Sequence, residues 1–388
     1  MRQLSLAILV LLLGTTVLPA AEGPVVEQQV VIFGKKGEFG AWPANHGMWN
    51  WGDEILVGLS TGTHKDLGPE YHNIDREKPE NHVLARSLDG GVTWTMEYPA
   101  EKGMLILDGL RHGIMPPDIK EPTPVELTES LDFTHPDFCM TLRFHDIHTG
   151  FSRFYYSYDR GKNWKGPFKL PLMGQPGIMA RTDMIVNGKH DAHFLLTVSK
   201  ENNREGRVIC VRTKDGCLTW DFLSYVGPEP RGFSIMPSTV RISENELFTT
   251  TRRRENESVE LDSDGMKYRW IDSWRSTDNG LSWEFAGNPI DDLGEGNPPA
   301  LIKLQDGRLC LTYGVRKQPF EMQAKLSSDN GKTWSEPFVL HGDGGGRDMG
   351  YPRSIQRPDG KVVTTYYFYT KDDPYRKVYA TIWDPGTP

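Results

Sequence analysis

The sequence predicts an all-β chain folded as a six-bladed β-propeller. Three observations predict it. First, one eight-residue phrase recurs five times: SLDGGVTW (87–94), SYDRGKNW (157–164), TKDGCLTW (213–220), STDNGLSW (276–283) and SSDNGKTW (327–334). A repeat at this scale marks an array of equivalent supersecondary units. Second, the flanking runs, such as HVLAR, FSRFYY and RVICVR, carry strand-like alternation or β-branched and aromatic content. Third, a sixth block, YPRSIQRPDGKVVTTYYFYT followed by KVYATIWDP, has three strand-like runs and no turn phrase. A ring of four-stranded blades leaves only short, protected edges.

The elements follow in order. Residues 1–21 read as a secretory signal peptide: Arg2 gives a positive start, an apolar run extends through Leu13, and Ala20 and Ala21 are small residues at a cleavage point. The run is too short for a membrane anchor. The mature chain, residues 22–388, is expected to be a single domain, exported to the periplasm or medium, and monomeric. VVEQQVVIF (25–33) reads as one strand and is assigned as the missing fourth strand of the last blade. Each later block should carry an innermost hairpin, as in MPSTVRISENELFTTTRRR (236–254), NPPALIKLQDGRLCLTYGVR (297–316) and YPRSIQRPDGKVVTTYYF (351–368). The segments 59–81 and 103–132 are rich in Pro, Gly, His and acidic residues and read as loops.

The repeated phrase has a structural reading and a chemical one. As a turn, its Asp accepts bonds from backbone N–H groups, its Gly supplies φ > 0, and its Trp folds back over the hairpin. As a site, its Asp would bind metal or substrate. The turn is the reading adopted.

Composition excludes several classes of partner. Lys and Arg total 44 against 52 Asp and Glu, a net charge of −8. With no basic stripe, a nucleic-acid partner is not expected. The four cysteines include Cys210 and Cys217, which flank the third turn and could pair across it; buried free thiols are the preferred alternative. No Cys-x-x-Cys or His cluster has metal spacing, so neither metal nor cofactor is expected.

The candidate chemistry lies where inner hairpins begin and end, because those points share one mouth of the ring. There stand Arg252, Arg253, Arg254 and Arg316 at second-strand ends, and Arg181, Asp183, Glu295, Tyr351 and Arg353 at first-strand starts. Guanidinium groups from several blades suit a carboxylate, which they hold bidentately. His46, Trp49 and His72 add an imidazole acid/base and an aromatic face for a sugar ring. Each has a plainer reading: Arg beside Glu255 or Asp348 as surface pairs, Trp49 as core, His46 bonded to backbone.

The repeated phrase resembles the Asp-box of the sialidase-like propellers, and the resemblance covers nearly the whole mature chain. It implies that Tyr351 of GYPRS is a glycosidase nucleophile assisted by a Glu. It also implies that Arg252 (or Arg254) and Arg316 clamp a sugar carboxylate, and that Asp75 of HNID is the acid/base. The family's N-terminal Arg phrase is replaced by FGAWPANHGMWNWGDEI, and its Glu at the fourth inner hairpin by MPST. Arg353 and Glu295 are the substitutes the sequence offers. The reading is an exo-acting glycoside hydrolase that cleaves a terminal acidic, sialic-acid-like sugar from a glycan. A neutral nucleophile suits such a substrate, since two anions would repel. A uronate polysaccharide lyase and a non-catalytic glycan-binding propeller remain as alternatives.

Overall fold

A computed structural model describes residues 23–69, 71–99, 123–255 and 269–388. The signal-peptide segment and most of the 103–132 loop lie outside the described residues. The expected ring is present: six antiparallel sheets, one per blade, follow one another along the chain. Segment 59–81 is a loop only from His64 onward, since its first residues complete the strand Glu54–Thr63. Among the described residues, no helix is long and apolar enough to cross a membrane.

The sixth blade is made as predicted. Its inner strands Gly350–Gln356, Val362–Phe368 and Lys377–Asp384 are joined by Val25–Phe33, which pairs antiparallel with the last strand (Val25 with Asp384, Val31 with Tyr379). The two ends of the ring are therefore latched by backbone hydrogen bonds.

The five repeated phrases connect the last two strands of their blades, at the end of the ring opposite the inner-hairpin mouth. Each Asp is consumed by its own turn. Asp329 accepts from Ser327 Oγ (2.8 Å), the Thr333 amide (2.9 Å) and Thr333 Oγ1 (2.6 Å), and the other four repeat this pattern. The fifth position of the phrase has positive φ in every copy, including Cys217 (φ 71°) where the others have Gly. Cys217 still donates its amide to Thr213 Oγ1 at 2.8 Å, so the turn holds with strain a Gly would avoid. All four cysteines are buried free thiols, which leaves the alternative pairing of Cys210 with Cys217 unformed.

Two blades depart from regularity, and the departures shape the centre. The second blade has three strands among the described residues: Cys139–Phe144, Ser152–Ser157 and Lys165–Leu170. In the first blade the innermost strand is split into Glu38–Ala41 and Met48–Trp51 by a 3-10 turn, Pro43–Asn45, entered through Trp42 in a left-handed conformation (φ 62°). That turn packs against Cys139–Phe144, the innermost described strand of the second blade. Thr141 Oγ1 donates to the His46 carbonyl (3.0 Å), and Arg143 donates to the Asn45 carbonyl.

Candidate active site

Tyr351 begins the innermost strand of the sixth blade with φ 53°, in a bulge between Gly350 and Arg353. An aromatic residue in that region is strained, at a cost on the order of 1–3 kcal/mol. The surroundings enforce it: the Tyr351 amide donates to Asn297 Oδ1 at 2.7 Å. Met236 has the same φ and a similar bulge at the start of the fourth inner strand, its amide held by Thr197 Oγ1 (3.0 Å). Tyr351, Met236, Ile235 and Ala44 pack together, so Tyr351 faces a thioether where the resemblance implied a carboxylate.

Arginines surround the phenol. Arg252 Nη1 donates to the Tyr351 hydroxyl at 3.3 Å, and the Arg316 guanidinium lies 5.4 Å from the ring centroid. Strand alternation puts Arg252 and Arg254 on one face, both over Phe233, while Arg253 points to the other. Arg269, which opens the next strand, adds a third guanidinium over Phe233. The crowding registers electrostatically. Burial, then Arg252 and Arg254, bring Arg269 down to about 9. Burial also lowers Arg252, with Tyr351 opposing the shift and Arg316 adding to it.

Glu295 reaches this cluster but not the phenol as expected. Its carboxylate pairs with Arg347 at 2.6 Å, and its carbonyl accepts from Arg252 Nη2 at 3.3 Å. A charged partner outcompetes a neutral hydroxyl for the carboxylate. Glu205 is a second carboxylate at this mouth, paired with Arg181 (2.7 Å), which also holds Asn45 Oδ1 (3.0 Å).

The first-blade loop delivers His72 rather than Asp75. Asp75 is tied to Lys65 (3.5 Å) and Lys78 (3.8 Å) and caps the Glu77 amide. His72 Nδ1 bonds Asp348 Oδ1 at 2.5 Å, with its ring about one-third exposed. Asp348 is buried and also accepts from Arg376 Nε (2.8 Å) and the Tyr367 hydroxyl (2.8 Å). Tyr367 in turn accepts from Arg316 Nη2 at 2.9 Å. A continuous polar chain thus runs from His72 through Asp348, Tyr367 and Arg316 to the Tyr351 ring. Burial alone would raise the Asp348 carboxyl, but His72, Arg376 and Arg316 outweigh it and hold it well below the usual carboxylate range.

Three other expected contacts are corrected. His46 is fully buried, bonded to Ser60 Oγ (3.0 Å) and Arg143 and stacked on His82, so it cannot touch a ligand. Trp49 packs toward Trp164 of the second turn phrase (5.7 Å) and lines the central channel, away from Tyr351. Arg353 lies in the throat, donating to the carbonyls of Ala44 (2.9 Å) and Thr182 (2.7 Å). It braces the 3-10 turn rather than reaching the mouth. Sequence reasoning missed Arg269, Arg347 and Glu205, and took Asp348, which is buried, for a surface partner of arginine. Arg269 and Glu205 open third strands, and that position could have been searched. Among the described residues, no group of His, Cys, Asp and Glu could hold a metal ion.

The family model described as the BNR repeat-like domain matches residues 141–364. The chain belongs to that family. This BNR repeat-like propeller also resembles solved structures across most of its length. One is a protein of unknown function from Dyadobacter fermentans DSM 18053 (18% identity, TM-score 0.68, 93% of this chain and 99% of that one). Others are the NanB sialidase of Streptococcus pneumoniae (10%, 0.56, 92% and 70%) and the alpha-L-arabinofuranosidase Arb93A of Fusarium graminearum (13%, 0.55, 89% and 96%). At these identities the likeness establishes the sialidase-like propeller fold. No curated protein sequence matches the chain.

Proposed function

We propose that this propeller is an exported, exo-acting glycoside hydrolase that cleaves a terminal acidic sugar from a glycan. The observation that carries the reading is Tyr351, strained into the mouth, bonded to Arg252 and overlain by Arg316. The excess of guanidinium groups suits an anionic ligand. The named activities of the sialidase and arabinofuranosidase neighbours support glycosidic chemistry on this fold.

In the proposed reaction Tyr351 gives up its phenolic proton to solvent as its Oη attacks the anomeric carbon, and the bond to the leaving oxygen breaks. The guanidinium groups stabilise negative charge developing on the phenol oxygen. His72, oriented by Asp348, replaces Asp75 as the acid that protonates the leaving group and the base that later activates water. Glu295 and Glu205 balance the arginine charge.

One observation favours a second reading. The hydroxyl of Tyr351 bonds an arginine and not a carboxylate, an arrangement that also suits proton abstraction beside a uronate carboxylate. A lyase would release an unsaturated product that absorbs ultraviolet light, whereas a hydrolase releases a reducing sugar without new absorbance.

The test is a product screen over sialylated and uronate-containing glycans. Tyr351→Phe should lower turnover by about 10³-fold or more while substrate still binds. Unchanged turnover in that variant would sink the nucleophile.

A further inference from the structure

A second cleft opens at the same mouth, on the other face of the fourth blade. Strand register places it. Arg253 follows Arg252, pairs with Trp270 across one ladder and with Ser234 across the other, and so lies level with the mouth. The cleft has a volume of about 430 Å³ and lies between Val226 and Pro228 of the third blade and the outer strands of the fourth. That size falls within the range of small-ligand sites.

Its lining differs in kind from the central pocket. Trp270, Trp274 and Phe285 supply aromatic surface, and Phe285 is more than half exposed. Trp270 is held in place, its Nε1 donating to Asp272 Oδ1 at 2.7 Å. The exposed Asn288 donates to the same oxygen at 2.8 Å, and Arg253 Nε lies 3.5 Å from Asp272 Oδ2. Asp291 adds a further carboxylate. Aromatic faces edged by carboxylate, amide and guanidinium groups match a sugar ring, with its apolar C–H face and its ring of hydroxyls. Two carboxylates against one guanidinium, itself shared with Glu255, make the cleft unfavourable for an acidic sugar.

We infer that this cleft binds a neutral sugar residue of a glycan, independently of the arginine pocket. The inference rests on the reading of the protein as glycan-binding. It divides recognition in two: an acidic terminal sugar at Tyr351 and a neutral residue beside Trp270.

Calorimetric titration of the full chain with cellotetraose, galactotetraose and arabinotetraose tests it. At least one should bind, and saturating sialic acid or glucuronate should leave that binding unchanged. Trp270→Ala should weaken it about tenfold or more, and Asn288→Ala, at an exposed position that leaves the fold intact, about threefold. Absence of binding by all three probes, equal affinity in both variants, or displacement by the acidic sugars overturns the inference. A chain that cleaves no acidic glycoside yet shows binding sensitive to Trp270 and Asn288 retains the cleft and loses the hydrolase reading.

Discussion

Asp348 and Asp183 are both buried in the middle of the ring, yet they behave as opposites. Asp348 receives a histidine, an arginine and a tyrosine, and stays anionic far below the usual range. Among the described residues, Asp183 receives only Thr239, through its amide (3.1 Å) and hydroxyl (2.7 Å). Arg353, the cation that acts on it, donates to the carbonyls of Ala44 and Thr182 instead. Burial therefore wins, and Asp183 is raised to about 6 despite Thr239 and Arg353. Burial does not decide the charge of a carboxyl; its company does. The anionic member orients His72 at the mouth, while the other lines a channel cavity of about 210 Å³.

The largest effect should come from removing the anion. Asp348→Asn strands Arg376 and releases His72, and should destabilise the fold by about 3–5 kcal/mol in urea titrations. A loss below about 1 kcal/mol would erase the contrast.

The next effect separates the two by pH. Asp348, with its depressed value, contributes stability that is present above the unfolded value near 4 and is lost as pH falls further. Asp183 works in reverse. The native state keeps its proton up to about 6, so stability falls as pH rises from about 4 to 6, by roughly 3 kcal/mol. Asp183→Asn should remove that slope from a plot of stability against pH; a slope that survives means Asp183 is ionised in the fold. The smallest change is Thr239→Val, which strips one hydroxyl from Asp183 and should cost about 1–2 kcal/mol.

Much of this geometry could be read from sequence, because a strand's period of two and a hairpin's ends are local properties. They placed Arg252, Arg254, Arg316 and Tyr351 at one mouth, and the five turn phrases on hairpins away from the pocket. Partner choice was not legible. Glu295 and Tyr351 do stand close, but Arg347, from the loop before the sixth blade, takes the carboxylate. Asp75 and His72 lie in one loop whose sequence gives no direction, and the buried Asp348–Arg376 pair, far along the chain, selects His72. His46 looked available because its burial depends on the 3-10 turn being pressed against Thr141 and Arg143 of the second blade.

The pairing of Val25–Phe33 with Lys377–Asp384 sets a timetable as well as a shape. The earliest strand of the ring has its partner at the far end of the sequence, so its backbone groups wait until nearly every blade exists. Closure of so long a loop is a late, slow event. Tyr351 and Arg353 sit in the blade that this closure completes, so the mouth is finished last. Deleting Val25–Phe33 would strip the outer strand from that blade and leave Lys377–Asp384 unpaired along one edge.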